Sequence, residues 1–203
     1  MLQDTGERII PDQMKPMNGM LLEHIARYYF ATPYVKGRVL DISCGVGYGT
    51  QMIAKTCKKE VYSVVGADIN KDALDYGRGR YHHPLIEWVE ADALDRRLPE
   101  KLGAFDTILS FETIEHLMDD HIFINNIWEM LKPGGTLILS TPFGRGRGKH
   151  TNEPFHVHQF TPVEFRELFE PFSCVEFYYQ RGVTFEPPRK EIRYPFGVAV
   201  AKK

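Results

Sequence analysis

Apolar residues recur along this chain in two rhythms. Residues 18–31, NGMLLEHIARYYFA, set Leu21, Leu22, Ile25, Tyr28 and Tyr29 at the three- and four-residue offsets that share one face of a helix. Asn18 is the expected N-cap and Pro33 the stop. GRVLDI (37–42) is instead a short continuous apolar run, as in a strand buried on both faces. It enters a glycine loop, and a helix is expected from about Tyr48 to Cys57. VYSVVGADI (61–69), LIEWVEA (85–91), FDTILSF (105–111) and TLILSTP (136–142) repeat the strand pattern. NKDALDYGRGRY (70–81), capped by Asn70, and HIFINNIWEML (121–131) read as helices, and KPGG (132–135) as a turn.

Strands alternating with helices imply βαβ units, hence a parallel sheet with helices on both faces. After a helix near 161–170 the rhythm changes. SCVEFYYQ (173–180) and RYPFGVAVAK (193–202) are strand-like with no helix between them, so they are expected to pair antiparallel at one edge. The expected fold is α/β, a doubly wound, mostly parallel seven-stranded sheet with an antiparallel edge. Residues 1–203 read as a single domain. Residues 1–17 form a polar arm, and 142–160 form a long loop expected to be the most mobile internal segment.

Composition narrows the class without changing this picture. Of 203 residues, 43% are hydrophobic and 26% charged, which suits a soluble globular chain. A formal net charge of −2 gives no general attraction to nucleic acid or membrane. The 3 cysteines, at unrelated spacings, argue against a disulfide framework and fit a reducing, cytoplasmic setting. MLQDTGERIIPDQ is too charged for a signal peptide, and no apolar run reaches the length of a membrane span.

Open parallel sheets bind ligands beyond the carboxyl ends of their strands. The loop after strand one, DISCGVGYGT (41–50), carries Gly45, Gly47 and Gly49, which allow a ligand close to the backbone. Asp68 ends strand two, at the distance that suits a carboxylate gripping ribose hydroxyls. The spacing G-x-G-x-G differs from the dinucleotide fingerprint, and Asp41 would set a negative charge beside a pyrophosphate. S-adenosylmethionine has no phosphate, and its ammonium and sulfonium suit a carboxylate at Asp41. A phosphate-binding P-loop is excluded, because no Lys-Ser/Thr pair follows the glycines.

SFETIEHL (110–117) follows strand four. Glu112, Glu115 and His116 fall at i, i+3 and i+4, offsets that share one helix face. A divalent-cation site and a catalytic base both fit these residue types. The plainer alternative is that Glu115 favours the positive end of a helix.

Together these runs resemble the class I S-adenosylmethionine-dependent methyltransferases, a Rossmann-like family, over roughly residues 20–200. VLDISCGVGYGT matches the first motif, with Ser43 where the family usually has its first loop glycine. GADIN matches the second, and the resemblance implies Asp68 on the ribose with Ile69 beside it. EADALD (90–95) matches the third, with Asp92 and Ala93 flanking the adenine, and LKPGGTLILSTP matches the run into strand five. Phe111 completes the implied cofactor set. E-x-x-E-H resembles the metal motif of ubiquinone-pathway O-methyltransferases and of enzymes that methylate the terminal hydroxyl of small RNAs. That resemblance implies magnesium or manganese on Glu112, Glu115, His116 and His158, the last from the loop after strand five, with Glu112, His116 and His158 catalytic.

TGERIIP (5–11), HIARYYFA (24–31) and EPFHVHQF (153–160) resemble bacterial methyltransferases of cell-surface glycan synthesis. This implies Glu7 and Arg8 closing over the cofactor, with Arg8 on its carboxylate, and Arg145, Arg147 and Lys149 meeting a phosphate such as that of a nucleotide sugar. The expected activity is O-methylation of a small polar acceptor such as a sugar hydroxyl. The alternatives are a catechol or quinol ring, and a module that binds S-adenosylmethionine or a nucleoside without turnover. The balanced charge disfavours a nucleic-acid substrate.

Overall fold

The structure is a computed structural model that describes residues 8–151 and 153–203. Eight strands form one sheet: β1 (Gly37–Ile42), β2 (Val61–Asp68), β3 (Ile86–Glu90), β4 (Phe105–Phe111), β5 (Leu131–Pro142), β6 (Cys174–Arg181), β7 (Thr184–Glu186) and β8 (Phe196–Lys202). Their order is β3-β2-β1-β4-β5-β8-β6-β7. The first five pair in parallel, and β8, β6 and β7 continue the sheet antiparallel. The expected seven strands are all present. The eighth, β7, is a three-residue hairpin return across Gly182, too short to carry a periodic signal.

The helices are α1 (Gly19–Ala31), α2 (Tyr48–Thr56), α3 (Lys71–Arg80), α4 (Leu98–Leu102), α5 (Asp120–Met130) and α6 (Pro162–Glu167). Asn18 and Asn70 cap α1 and α3 as expected, each accepting from the backbone N–H three residues on. Strand residues alternate between two apolar layers. Leu40, Val65, Ile108 and Leu137 meet Phe123 and Ile127 of α5 and Phe165 of α6. Val39, Val64, Leu109 and Ile138 meet Leu21 and Tyr28 of α1, Ile53 of α2 and Ala73 of α3. Burial on both faces is why these strands read as continuous apolar runs.

Two local expectations change. KPGG is a bulge inside β5 and not a turn before it. Phe105 pairs with Leu131 and Thr107 with Thr136, so the residues between loop out, with Gly134 at φ 75°. The motif after β4 is not a helix either. Glu112 takes a left-handed φ of 51°, and only Ile114–His116 form a single 3-10 turn. The shared helical face expected for Glu112, Glu115 and His116 therefore does not exist.

Candidate active site

A cavity of about 1140 Å³ opens over the carboxyl ends of the parallel strands. Its floor is the loop after β1. Ser43 and Gly45 both have φ of 58°, a left-handed turn that favours glycine and that Ser43 adopts at some strain. The Gly45 N–H donates to Asp68 Oδ2 and the Asn70 N–H to Oδ1, both at 2.8 Å, which fixes the Asp68 carboxylate at the cavity wall. Asp92 is fixed by the Leu94 N–H in the same way, at 2.8 Å. Arg8, Ile69, Phe111 and Glu112 also line the cavity. Of the expected cofactor residues, Arg8, Gly45, Asp68, Ile69, Asp92 and Phe111 are thus brought together. Glu7 lies outside the described residues.

Four others face elsewhere. Asp41 is 1% exposed, and both its oxygens are taken: Tyr28 Oη donates to each at 3.2 Å and Thr50 Oγ1 to Oδ2 at 2.6 Å. Burial, with the charge of Asp68 adding and these hydrogen bonds opposing, pushes its carboxyl up to about 7. Gly47 and Gly49 are small for packing. A Cβ on Gly47 would sit 2.0 Å from the Trp88 ring, and one on Gly49 would sit 1.9 Å from the Tyr28 ring. Ala93 is buried, with its carbonyl accepting from Asn126 Nδ2, and Leu94 takes its place at the cavity wall.

Beyond β4 and β5 the cavity becomes polar. Glu112 Oε1 accepts from Ser140 Oγ at 2.7 Å, and Oε2 stands 3.7 Å from an Arg27 amino nitrogen. Glu115 is 1% exposed. Its Oε2 accepts from Thr141 at 3.1 Å, while Oε1 has no hydrogen bond among the described residues. Burial first, then the Glu112 charge, holds its carboxyl well above the usual range. His116 Nδ1 lies 3.1 Å from the Phe155 carbonyl, and its Nε2 lies 3.9 Å from Glu115 Oε1. The His156 ring sits edge-on to His116 at 4.8 Å, with its pKa pulled down to about 4 by burial and by His116.

The structure therefore gathers Glu115, His116 and His156, whose ligating atoms lie within 4.8 Å of one another. Glu112 and His158 are not in that cluster. His158 does not line the cavity: it is buried edge-on against Phe160 at 4.6 Å, and its Nε2 has no partner among the described residues. Phe160 bridges to Phe143, and Val157 and His158 both hang their N–H groups on the Glu115 carbonyl; in this irregular stretch His156 and Gln159 reach the cavity while His158 and Phe160 are buried. Hydrogen bonds cross the described part of the loop from 142 to 160. Gly144 and Gly146 donate to Phe160 and Gln159 across it, and Arg147 Nε donates to Asp120 at 2.9 Å while its guanidinium covers the Phe160 ring. Arg147 is thereby committed inside the protein. Sequence reasoning missed Glu23, His24 and Arg27 of α1 and Arg193 and Tyr194 before β8, all of which line the cavity. Only the charge within the apolar face of α1 hinted at the first three.

Residues 40–139 match a family described as a methyltransferase domain. A probable S-adenosylmethionine-dependent methyltransferase of Mycolicibacterium smegmatis is 32% identical over 171 residues, which cover 82% of this chain and 63% of that protein. The chain thus spans under two thirds of that relative's length. A ubiquinone biosynthesis O-methyltransferase of Chelativorans is 35% identical over 114 residues, 55% of this chain and 42% of that one. In fold, the methyltransferase domain of bacterial CtHen1-C superposes with a TM-score of 0.68 at 20% identity, covering 91% of this chain and 98% of that domain. Matched in sequence through the strands that build the cavity floor, residues 40–139 belong to the S-adenosylmethionine-dependent methyltransferases, and the chain has the class I methyltransferase fold.

Proposed function

We propose that this protein transfers the methyl group of S-adenosylmethionine to a hydroxyl oxygen of a small polar acceptor, with sugars the first class to test. The observation that carries this reading is the polar end of the cavity, where Glu23, His24, Glu112, His116, His156 and Gln159 offer hydrogen-bonding groups for a polyhydroxy ligand. Asp68 is assigned to the ribose and Asp92, with Ile69 and Leu94, to the adenine. That runs the cofactor from β3 toward β4 and leaves its methyl near Glu112 and His116.

In the reaction the acceptor oxygen attacks the methyl carbon, the carbon–sulfur bond breaks, and its electron pair returns to sulfur. The hydroxyl proton has to leave, and His116 is placed to take it. A carbonyl only accepts, so Nδ1 facing Phe155 carries the hydrogen and Nε2 keeps its lone pair. The trio Glu115, His116 and His156 also fits a divalent cation, since the Glu115 Oε1 is buried without a partner beside both imidazoles. When bound there, a cation would supply Lewis acidity that lowers the acceptor hydroxyl's pKa.

The test is S-adenosylhomocysteine formation with a panel of monosaccharides, nucleotide sugars, catechols and amines, with and without excess chelator. Turnover with a sugar supports the reading. Turnover with catechols alone favours the quinol alternative, for which the ubiquinone-pathway relative speaks. Turnover with amines alone, or none with any acceptor despite cofactor binding, overturns O-methylation. Loss of turnover in chelator, restored by magnesium or manganese, assigns the trio to a cation. Full activity in chelator together with loss in His116→Asn assigns His116 as an unassisted base.

A further inference from the structure

A second cavity adjoins the first, and Phe143, Arg193 and Tyr194 line both. At about 240 Å³ it suits one substituent of a ligand, since pockets for whole ligands run to about 300 Å³ or more. Its walls are set in advance. Tyr179 packs edge-on against Phe143 at 5.0 Å and against Tyr194 at 5.3 Å. The Tyr194 hydroxyl is taken by Glu186, to which it donates at 2.5 Å, and the Phe143 N–H donates to the Pro195 carbonyl at 2.7 Å. Tyr179 lines the second cavity and is 7% exposed, yet its hydroxyl has no hydrogen-bond partner among the described residues and is not sealed from solvent. Arg193, exposed on the rim that the two cavities share, has no hydrogen bond or ion pair among them either. The lining of the second cavity thus offers one cation and one free hydroxyl, and no carboxyl group. Glu186 lies outside it, held by Tyr194 and 3.5 Å from Arg189. The acceptor end of the main cavity is the opposite: Glu23, Glu112 and Glu153 line it, and Arg27 there is buried.

We propose that the second cavity receives an anionic group of the methyl acceptor, a carboxylate or a phosphate, held by Arg193 and the Tyr179 hydroxyl. This rests on the placement of methyl transfer at Glu112 and His116 above. An anion at the acceptor end of the main cavity faces Glu112 and Glu153 and is repelled. In the second cavity it meets a guanidinium, which can donate to two of its oxygens at once, and a phenol that donates while staying neutral. The aromatic walls keep water back and strengthen both bonds. An acidic acceptor is thereby selected over its neutral counterpart and also oriented, with its hydroxyl left in the main cavity beside His116.

Calorimetry on the full chain loaded with S-adenosylhomocysteine tests this with matched probes: glucose against glucuronate and glucosyl phosphate, and catechol against protocatechuate. Wild type is expected to bind at least one anionic probe about tenfold or more tightly than its neutral partner. Glucuronate and protocatechuate report a carboxylate, and glucosyl phosphate a phosphate. Arg193→Gln should remove the preference by weakening the anionic probe alone. Tyr179→Phe keeps the ring and should lower the preference about threefold or more. S-adenosylhomocysteine affinity, the same in both variants as in wild type, shows that they are folded. Equal affinity of wild type for the charged and neutral members of every pair overturns the proposal. So does a preference that survives either variant undiminished, or an equal loss for charged and neutral probes in Arg193→Gln. A preference in the catechol pair with no binding of any sugar defeats the sugar reading and leaves this site standing. Sugar binding without a charge preference does the reverse. Binding of no probe overturns the proposal.

Discussion

At the scale of single residues, two aspartates show how one side-chain type takes opposite parts. Asp68 keeps its carboxylate at the cavity wall, oriented by two backbone N–H groups. Asp68→Ala should weaken S-adenosylhomocysteine by about 1–3 kcal/mol through lost charge-assisted bonds, read by calorimetry. Asp41 is sealed inside and titrates near 7 in place of the ordinary 3.8. Between about pH 4 and 7 the folded chain therefore keeps a proton that the unfolded chain releases. Stability falls as pH rises through that window and levels off above it. Asp41→Asn removes the effect, so its stability relative to wild type should grow by a few kcal/mol, roughly, across that window and stay constant beyond it. Urea unfolding from pH 5 to 8 checks this; parallel curves below pH 7 would show that the buried carboxyl is not titrating there.

At the scale of elements, the arm and the loop after β5 are both held by ion pairs that join distant segments. Asp12 accepts from Tyr76, Arg80 and Tyr81, which pins the arm segment Pro11–Gln13 to the end of α3 and sets Arg8 and Ile9 at the cavity wall. The Arg80 bond, with those of Tyr76 and Tyr81, lowers the Asp12 pKa to about 2. Its contribution is present above the ordinary carboxylate range and is lost as pH falls toward 2. Asp12→Ala should cost about 0.5–1 kcal/mol, because the site is exposed and screened. The clearer readout is faster hydrogen exchange and proteolysis at residues 8–14, with β1 and β4 unaffected. Equal protection of the arm in variant and wild type would mean that Ile9 and Ile10, both buried, hold it unaided.

At the scale of the whole molecule, the antiparallel edge is what completes the cavity. Gln180 of β6 ties that edge to α1 by bonds to Arg27 and to the Glu23 carbonyl, 153 and 157 residues apart in sequence. Gln180→Leu should destabilise the fold by about 2–4 kcal/mol, since it strands a buried guanidinium. Denaturant unfolding measures the loss. A variant as stable as wild type would show that the Phe196 ring alone suffices to hold Arg27.

The alternation of apolar runs determined the parallel layers, the helix caps and the antiparallel edge, because burial on two faces and local capping are written into nearest-neighbour patterns. The glycine loop, Asp68 and Asp92 were legible for a related reason: each sits at a strand end, where fold class alone says ligands bind. Only the tertiary structure decided that Gly47 and Gly49 make room for Trp88 and Tyr28, and that Asp41 is closed off by Tyr28 and Thr50. It likewise decided that His156 and not His158 joins Glu115 and His116. Those outcomes depend on which side chain from a distant segment fills a given space, and on the irregular path of the loop after β5. A left-handed turn at Glu112 was enough to break the helical face that its spacing implied. Arg27 was the most hidden, a charge on a largely apolar helix, because its burial depends on Gln180 and Phe196 folding around it from the far end of the sequence.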